Sequence, residues 1–160
     1  MYNIVYQPNK LLKHVIRQDG SYFMVLLYLY QKYANLAFSP EQINRLHTKC
    51  VQEELITEDC FINFAKTPKI FGWFSAEGSR KVNGEWVTNL SDLSIPPEEL
   101  GYNSPTDYVL LFQRRMGMKK YYHFVVGNKN GKVLFDPIPH SKTVEYGTIK
   151  SYRLFKIKVV

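Results

Sequence analysis

One segment of the chain is apolar on nearly every side, and it constrains the fold more than any other feature. It covers residues 22–33 and reads Tyr22-Phe-Met-Val-Leu-Leu-Tyr-Leu-Tyr-Gln-Lys-Tyr33. Periodicity alone would allow a buried strand, but the length and the Met and Leu content favour a helix. A helix that is hydrophobic all round belongs in the centre of a domain. Just before it, Gly20 permits an unusual backbone angle, and Ser21 is a favourable N-terminal cap or first-turn residue.

A second helix carries clear start signals. Ser39 can cap its N-terminus, Pro40 fits the first helical position, and Gln42 completes a capping box three residues after the cap. Apolar residues then recur at helical spacing, and the helix is predicted to end near Leu55. A further short helical piece is predicted at residues 59–68.

The last third of the chain has the composition and the turn signals of β-structure. Four segments are predicted as strands: residues 107–113, 121–126, 132–136 and 151–159. The last of them alternates polar and apolar residues, as a strand covered on one face does. Helices first and an antiparallel meander second predict an α+β fold, in one domain over residues 1–160.

Glycine and proline punctuate the segment from about residue 60 to residue 105. It is therefore predicted to be a variable connection with little regular structure. Within it, Asn83-Gly84 predicts the turn of a short hairpin over residues 81–87.

The chain is basic, with 21 Lys and Arg residues, 14 Asp and Glu residues and a net charge of +7. This charge fits an anionic partner such as nucleic acid, anionic lipid or an acidic protein, or simply a solvated basic surface. The solvated surface is favoured, because a basic surface by itself says little about function. The densest cluster, Arg114, Arg115, Lys119 and Lys120, surrounds a predicted turn. A β-ribbon with basic flanks can lie along a phosphate backbone, so nucleic acid is kept as a less favoured partner.

The sequence contains no motif that requires a metal, a cofactor or a membrane span. Cys50 and Cys60 lack metal-ligand spacing, and there is no CxxC, HExxH or Gly-rich phosphate loop. We therefore predict no cofactor and no metal. The N-terminus lacks the order of a signal peptide, and the longest apolar stretch, residues 22–30, is far shorter than the roughly 20 residues that span a bilayer. A cytoplasmic protein without membrane insertion is expected.

Three residues can carry chemistry together: Ser21 at a helix start, His123 in a strand and Asp136 at the end of the next strand. Each alone has an ordinary explanation, as a helix cap, a strand histidine and a turn residue. Together they resemble a nucleophile at the positive end of a helix dipole, its base, and a carboxylate that orients the base. Strand alternation places His123 on one face with Tyr121 and Val125, and the antiparallel return brings Asp136 toward the level of His123.

Two stretches resemble the papain-like cysteine peptidases. They are Gln18-Asp-Gly-Ser21 before the apolar helix, and His123-Phe-Val-Val-Gly followed by Gly131-Lys-Val-Leu-Phe-Asp136-Pro137. They are most similar to the bacteriocin-processing, double-glycine-leader peptidase group and its looser relatives. The resemblance implies a papain-like fold, in which a buried central helix packs on a C-terminal antiparallel sheet. It also implies that Ser21 stands at the position of the nucleophilic cysteine and that His123 is the general base. Asp136 would orient the base, and Gln18 would donate to the oxyanion hole.

The chain departs from the family pattern at two positions. Ser21 replaces a cysteine, and a hydroxyl is a weaker nucleophile than a thiol that is partly ionised near neutral pH. Three explanations are open: a deliberate Cys→Ser change, a natural inactive relative that keeps the fold for binding, and a working serine nucleophile. Gln18 lies closer to position 21 than the corresponding glutamine does in the family, and Gln7 is a substitute candidate for its role.

These residues lead to three functional interpretations. The first is a thiol-peptidase-like protein whose substrate is a peptide or protein amide. The second is a non-catalytic peptide- or protein-binding domain, with contact residues at Tyr102, Tyr108, Tyr121 and Tyr122. The third is nucleic-acid binding through the basic hairpin.

Overall fold

The computed structural model of the chain describes residues 4–62, 74–76, 79–82, 85–88, 92–93, 107–155 and 157–159, with side chains at 4–62 and 108–153. The chain divides into two compact units. One unit consists of Met1–Ser75 together with Lys158–Val160, and the other of Ala76–Ile157. The sequence-based assignment of a single domain over residues 1–160 stays a prediction.

Among its described residues, the first unit contains three helices: α1 at His14–Asp19, α2 at Ser21–Ala34 and α3 at Pro40–Gln52. Helix α2 confirms the expectation of a buried helix, because ten of its 14 residues are buried. It ends at Asn35, which has a φ of 56°. Asparagine is one of the few residues that adopt this left-handed conformation readily, so it forms a natural helix stop.

Helix α3 begins with the predicted capping box. The Gln42 backbone N–H donates to Ser39 Oγ at 3.2 Å, and the Ser39 backbone N–H donates to Gln42 Oε1 at 2.8 Å. Pro40 occupies the first turn, as predicted. The helix ends at Gln52, one turn earlier than the predicted end near Leu55. Of the helical piece predicted at 59–68, residues 59–62 are not helical and the others lie outside the described residues.

Helix α3 also holds the chain in front of α1. Asn44 Oδ1 accepts from the Lys13 backbone N–H at 2.9 Å, and Asn44 Nδ2 donates to the Leu11 carbonyl at 2.9 Å. The Lys13 ammonium lies 3.1 Å from His47 Nδ1 and also donates to Thr48 Oγ1. One face of α3 thereby fixes where α1 starts, and with it the junction between α1 and α2.

Gly20 is the single residue between α1 and α2. Its N–H donates to the Ile16 carbonyl and its own carbonyl accepts from the Met24 N–H, both at 2.9 Å. Its φ of −94° is ordinary, so Gly20 does not use the unusual backbone angles that glycine permits. A Cβ at this position would lie only 2.5 Å from the Ile16 carbonyl oxygen, so close approach of the backbone is what requires glycine.

In the segment predicted to have little regular structure, the described residues include four short strands. They are β1 at Phe74–Ala76, β2 at Ser79–Val82, β3 at Glu85–Thr88 and β4 at Asp92–Leu93. Strands β2 and β3 pair antiparallel with Val82 opposite Glu85, which confirms the hairpin predicted around Asn83-Gly84. Strand β1 pairs in a two-stranded sheet with β9, the strand at Ile157–Val159.

The main sheet of the second unit has five antiparallel strands. Besides β4, this sheet contains β5 at Asp107–Met116, β6 at Lys119–Gly127, β7 at Val133–Phe135 and β8 at Thr148–Phe155. The order of the strands across the sheet is β4-β8-β5-β6-β7. A short helix, α4 at Lys142–Tyr146, connects β7 to β8. Strand β8 pairs with β5 and not with β7, so the predicted simple meander is wrong at its last strand. The helices-then-sheet order of an α+β fold is confirmed.

One face of this sheet carries both a hydrophobic core and the histidine of interest. Its buried core consists of Tyr108, Leu110, Phe112, Val125 and Tyr152. Phe112 lies directly opposite His123 in the β5–β6 register, so the two side chains share this face. Within the part of the chain that the structure describes, no helix has the length and apolar character needed to cross a membrane.

Candidate functional site

His123 and Asp136 form a close, largely buried pair in the second unit. The distance from His123 Nε2 to Asp136 Oδ1 is 2.6 Å, and the two side chains are 5% and 16% exposed. His123 lies in β6 and Asp136 directly follows β7. Because β7 pairs antiparallel with β6 through Val126 and Phe135, the chain returns to the level of His123. The structure therefore brings together the two residues that the sequence placed side by side.

Asp136 is held in place by the turn that it starts. Its Oδ1 also accepts from the Ile138 backbone N–H at 2.9 Å, the hydrogen bond of an Asx turn. Pro137, between these two residues, is buried. The carboxylate is therefore oriented by the backbone and not by the imidazole alone.

This arrangement assigns different tasks to the two ring nitrogens of His123. An ionised Asp136 can only accept hydrogen bonds, so His123 Nε2 must carry the proton of the neutral imidazole. Nδ1 is then the unprotonated nitrogen, the one able to take a proton from a nucleophile. A carboxylate in this position fixes the tautomer and stabilises the imidazolium that forms during proton transfer. The pair can thus act as a general base of defined orientation.

The other two predicted site residues belong to the first unit. Ser21 is the first residue of α2 and is 9% exposed, whereas Gln18 lies in α1 with an exposed side chain. Gly20 holds the N-cap position, so Ser21 is not the capping residue of α2. A side chain in the first turn of a 14-residue helix lies at the positive end of the helix dipole, which favours an anion there.

Gln7, the substitute candidate for the oxyanion role, is almost fully buried. Its Nε2 donates to the Arg17 carbonyl at 3.1 Å, and its Oε1 is buried without a hydrogen-bond partner among the described residues. One N–H of the amide is therefore used to hold the end of α1. The second N–H is left for any further acceptor.

The comparisons with known proteins assign a family. The family DUF261, described as a protein of unknown function, matches residues 2–157. The chain belongs to the DUF261 family. No curated protein and no solved structure matches the chain. The match to DUF261 spans the positions of Ser21, His123 and Asp136.

This DUF261 member contains a buried polar group that sequence reasoning missed. His47 in α3 is 3% exposed, its Nδ1 faces the Lys13 ammonium, and its ring meets Phe23 edge to face with centroids 5.6 Å apart. Burial, followed by the Lys13 charge, lowers the pKa of His47 to about 4. His47 is therefore neutral near pH 7. Its place at helical spacing between buried Ile43 and Cys50 was the sequence signal.

An open groove of about 300 Å³ runs beside this histidine in the first unit. It is lined by Lys13, Val15, His47, Thr48, Val51, Gln52 and Glu58. His47 Nε2 is inaccessible and lacks a hydrogen-bond partner among the described residues. Because the ring is buried and packs against Phe23, the histidine serves packing in this DUF261 protein.

The two cysteines of this DUF261 protein lie in buried positions and form no disulfide with each other. Cys50 and Cys60 are each 3% exposed. Burial, with a smaller contribution from the Asp19 charge, raises the pKa of the Cys60 thiol to about 12. A thiol of this kind is not a nucleophile at neutral pH. Among the described residues, no group of three or more His, Cys, Asp and Glu side chains gathers as metal ligands.

The tyrosines expected to contact a peptide lie in different environments. Tyr108 is 2% exposed and belongs to the core of the sheet, so its prediction as a contact residue is wrong. Tyr121 and Tyr122 are exposed on the β5–β6 hairpin of this DUF261 protein. Tyr102 lies outside the described residues.

Proposed function

We propose that this DUF261 member is a cysteine-peptidase-like protein with a papain-like fold, in which Ser21 occupies the nucleophile position. Its ligand would be a peptide or protein amide. The observation that carries the proposal is the buried 2.6 Å contact between His123 Nε2 and Asp136 Oδ1, which leaves Nδ1 as the base. The role of Ser21 comes from the resemblance and from its place in the first turn of α2.

When residue 21 is a cysteine, the reaction follows from the different roles of the two ring nitrogens of His123. His123 Nδ1 takes the thiol proton, and the thiolate attacks the carbonyl carbon of the amide. The imidazolium then gives that proton to the leaving amine, and the C–N bond breaks to leave an acyl-enzyme. Water adds to the thioester with His123 again acting as the base, which releases the acid and restores the thiol. Asp136 stabilises the imidazolium at each stage.

With serine at position 21, the same base must remove a far less acidic proton. The hydroxyl is not measurably ionised near neutral pH, so the same imidazole activates it far less than it would activate a thiol. The chain with Ser21 is therefore expected to bind an amide ligand and to cleave it slowly or not at all. Peptide or protein binding without turnover is the second candidate function, and Ser21 itself is the observation that favours it.

Alkylation of Ser21→Cys tests the proposal directly. The rate of reaction with iodoacetamide is measured against pH, with the modified residue identified by peptide mass spectrometry. We expect residue 21 to react with an apparent pKa below the roughly 8.5 of a free cysteine, because His123 and the dipole of α2 favour the thiolate. His123→Ala in the Ser21→Cys background should raise that apparent pKa.

The chain supplies its own control for this experiment. Cys60, with a pKa raised to about 12, should remain unmodified over the same pH range. A residue 21 thiol that titrates like a free cysteine with and without His123 would refute the peptidase-like arrangement. A separate assay distinguishes turnover from binding: hydrolysis of a peptide library by Ser21→Cys, and not by Ser21→Ala, would show turnover.

A further inference from the structure

The β5–β6 hairpin continues beyond the rest of its sheet as a two-stranded arm. The last residue of β5 with a partner on β8 is Gln113, opposite Thr148. We call residues 114–122 the basic arm. Beyond Gln113 the two strands pair only with each other, ending in the turn at Gly117 and Met118. At about 3.4 Å per residue the arm projects roughly 12 Å past β8.

The tip of the basic arm is apolar and exposed. Met118 is 102% exposed and Met116 is 51% exposed, on either side of Gly117 with its φ of 61°. Large apolar side chains exposed together at a projecting turn do not serve the core of their own domain. Their chemistry fits an apolar or interfacial environment supplied by a partner.

Positive charge surrounds the arm directly behind this tip. Arg114 and Lys119 lie on one face of the ribbon, and Arg115 and Lys120 lie opposite each other on the other face. No Asp or Glu occurs within residues 114–122. Lys150 adds a fifth positive charge, with its ammonium 4.9 Å from the ring centre of Tyr122. The charge therefore forms a collar around the arm and not a stripe along one side.

Two exposed tyrosines lie at the base of the basic arm, Tyr121 opposite Arg114 and Tyr122 opposite Gln113. Tyr121 is 43% exposed and Tyr122 is 47% exposed, and as neighbours in a strand they point to opposite faces. Going back from the tip, methionine comes first, the basic residues begin level with Met116, and the tyrosines come last, with Tyr121 level with Arg114. This is the order of depth preferences in a lipid bilayer surface, where apolar groups insert, basic groups meet anionic headgroups, and tyrosine favours the interface.

We propose that the basic arm docks end-on onto an anionic phospholipid surface, with Met116 and Met118 inserted shallowly among the headgroups. A planar surface met end-on faces both sides of the ribbon at once, so basic residues on both faces near the tip can meet anionic headgroups. A nucleic-acid strand lying along the ribbon would use one face and would leave the fully exposed Met118 without a role. Such docking needs no membrane-spanning segment, and it is independent of the function proposed for the His123–Asp136 pair.

Co-sedimentation with phosphatidylcholine vesicles, with and without phosphatidylserine, tests this proposal. We expect binding to the anionic vesicles only, weakening as salt is raised. The double variant Lys119→Gln, Lys120→Gln should lower the partition coefficient about 25-fold, from about five-fold for each charge. The matched control is Lys132→Gln, Lys142→Gln, which removes the same charge from exposed positions outside the arm and should have a much smaller effect.

A second measurement tests the end-on geometry. An environment-sensitive fluorophore is attached at Met118→Cys or, as control, at Leu134→Cys, another exposed apolar position. The native thiols are buried, so labelling is selective. We expect a blue shift on anionic vesicles for the label at residue 118 and not for the label at 134. Equal loss of binding in both lysine pairs, no shift at residue 118, or salt-sensitive binding to mixed-sequence DNA without vesicle binding would each overturn the proposal.

Discussion

At the scale of single residues, the candidate site depends on positions where contacts with the backbone restrict the type of side chain. Gly20 is one, because the backbone of Ile16 lies where its side chain would be. Asp136 is another, because a single carboxylate oxygen satisfies both the His123 ring and the Ile138 N–H. Each fixes a residue of functional interest: Gly20 sets the first position of α2, and Asp136 sets the tautomer of His123.

Gly20→Ala should destabilise the protein by about 3 kcal/mol, because the new Cβ would meet backbone atoms that cannot rotate away. Urea unfolding gives the change in the free energy of unfolding. Gly117→Ala is the comparison: its Cβ has open space within 4 Å, so only the φ of 61° costs stability, about 1 kcal/mol. Equal losses in the two variants would show that close approach at Gly20 is not the constraint.

Asp136→Ala should cost about 2 kcal/mol, because it leaves the buried His123 Nε2 and the Ile138 N–H without their acceptor. Asp136→Asn keeps an oxygen acceptor at the same place and should cost clearly less. Thermal or urea unfolding of both variants measures the difference. If the two variants were equally stable, the carboxylate oxygen would not be what holds this corner of the sheet.

At the scale of elements, α3 acts as the frame on which the α1–α2 junction is built. Asn44 bonds one backbone N–H and one backbone carbonyl of the segment before α1, much as a neighbouring strand would. The side chain therefore determines where α1 begins, although Asn44 lies more than 30 residues further along the chain. Ser21 owes its position to this contact as well as to Gly20.

Asn44→Ala should lower the free energy of unfolding by about 2 kcal/mol, from two hydrogen bonds of about 1 kcal/mol each. Asn44→Asp keeps the oxygen that accepts from Lys13 and loses the donor to Leu11, so about half of the loss is expected. Hydrogen exchange of the α1 amides measures the local effect. Unchanged exchange in α1 for Asn44→Ala would contradict the role of α3 as a frame.

The elements that could be predicted from the sequence were those whose signals are local. The capping box at Ser39 and the apolar run of α2 are complete within a few residues. His123 and Asp136 could be paired because a short turn between two strands determines their register. The position of β8 could not be predicted, because pairing with β5 and not β7 is decided by contacts far apart in sequence. Helix α4, with five residues, is too short to show a period.

The candidate site was predicted in part for the same reason. Sequence reasoning paired His123 with Asp136, whose contact the structure contains, but it did not point to the buried cluster around His47, and the role of Ser21 stays a prediction. The helical spacing of His47 between Ile43 and Cys50 indicates that it is buried, but its contact with Lys13 is long-range and the sequence does not show it. The burial of Tyr108 could not be predicted either. An aromatic residue near the start of a strand can lie in the core or on the surface, and the sequence does not distinguish the two.

At the scale of the whole molecule, the buried His47 makes stability depend on pH. Its folded-state pKa of about 4 lies below the ordinary 6.5, so between these values the unfolded chain binds more protons than the folded one. The contribution of His47 is therefore complete above pH 6.5 and is lost as the pH falls toward 4. Between pH 7 and pH 5 the loss should be about 2 kcal/mol.

The first unit should respond most strongly, because His47 belongs to it. Hydrogen exchange at pH 7 and pH 5, corrected for the intrinsic exchange rate, should show a larger fall in protection for α2 and α3 than for β5 and β6. His47→Asn, which offers an oxygen to the Lys13 ammonium but does not titrate, should remove this difference, whereas His14→Asn at an exposed position should preserve it. A pH dependence that survives His47→Asn would mean that another group unfolds the protein in acid. That result would also end the argument that burial of this imidazole, against Phe23 and beside Lys13, keeps it neutral.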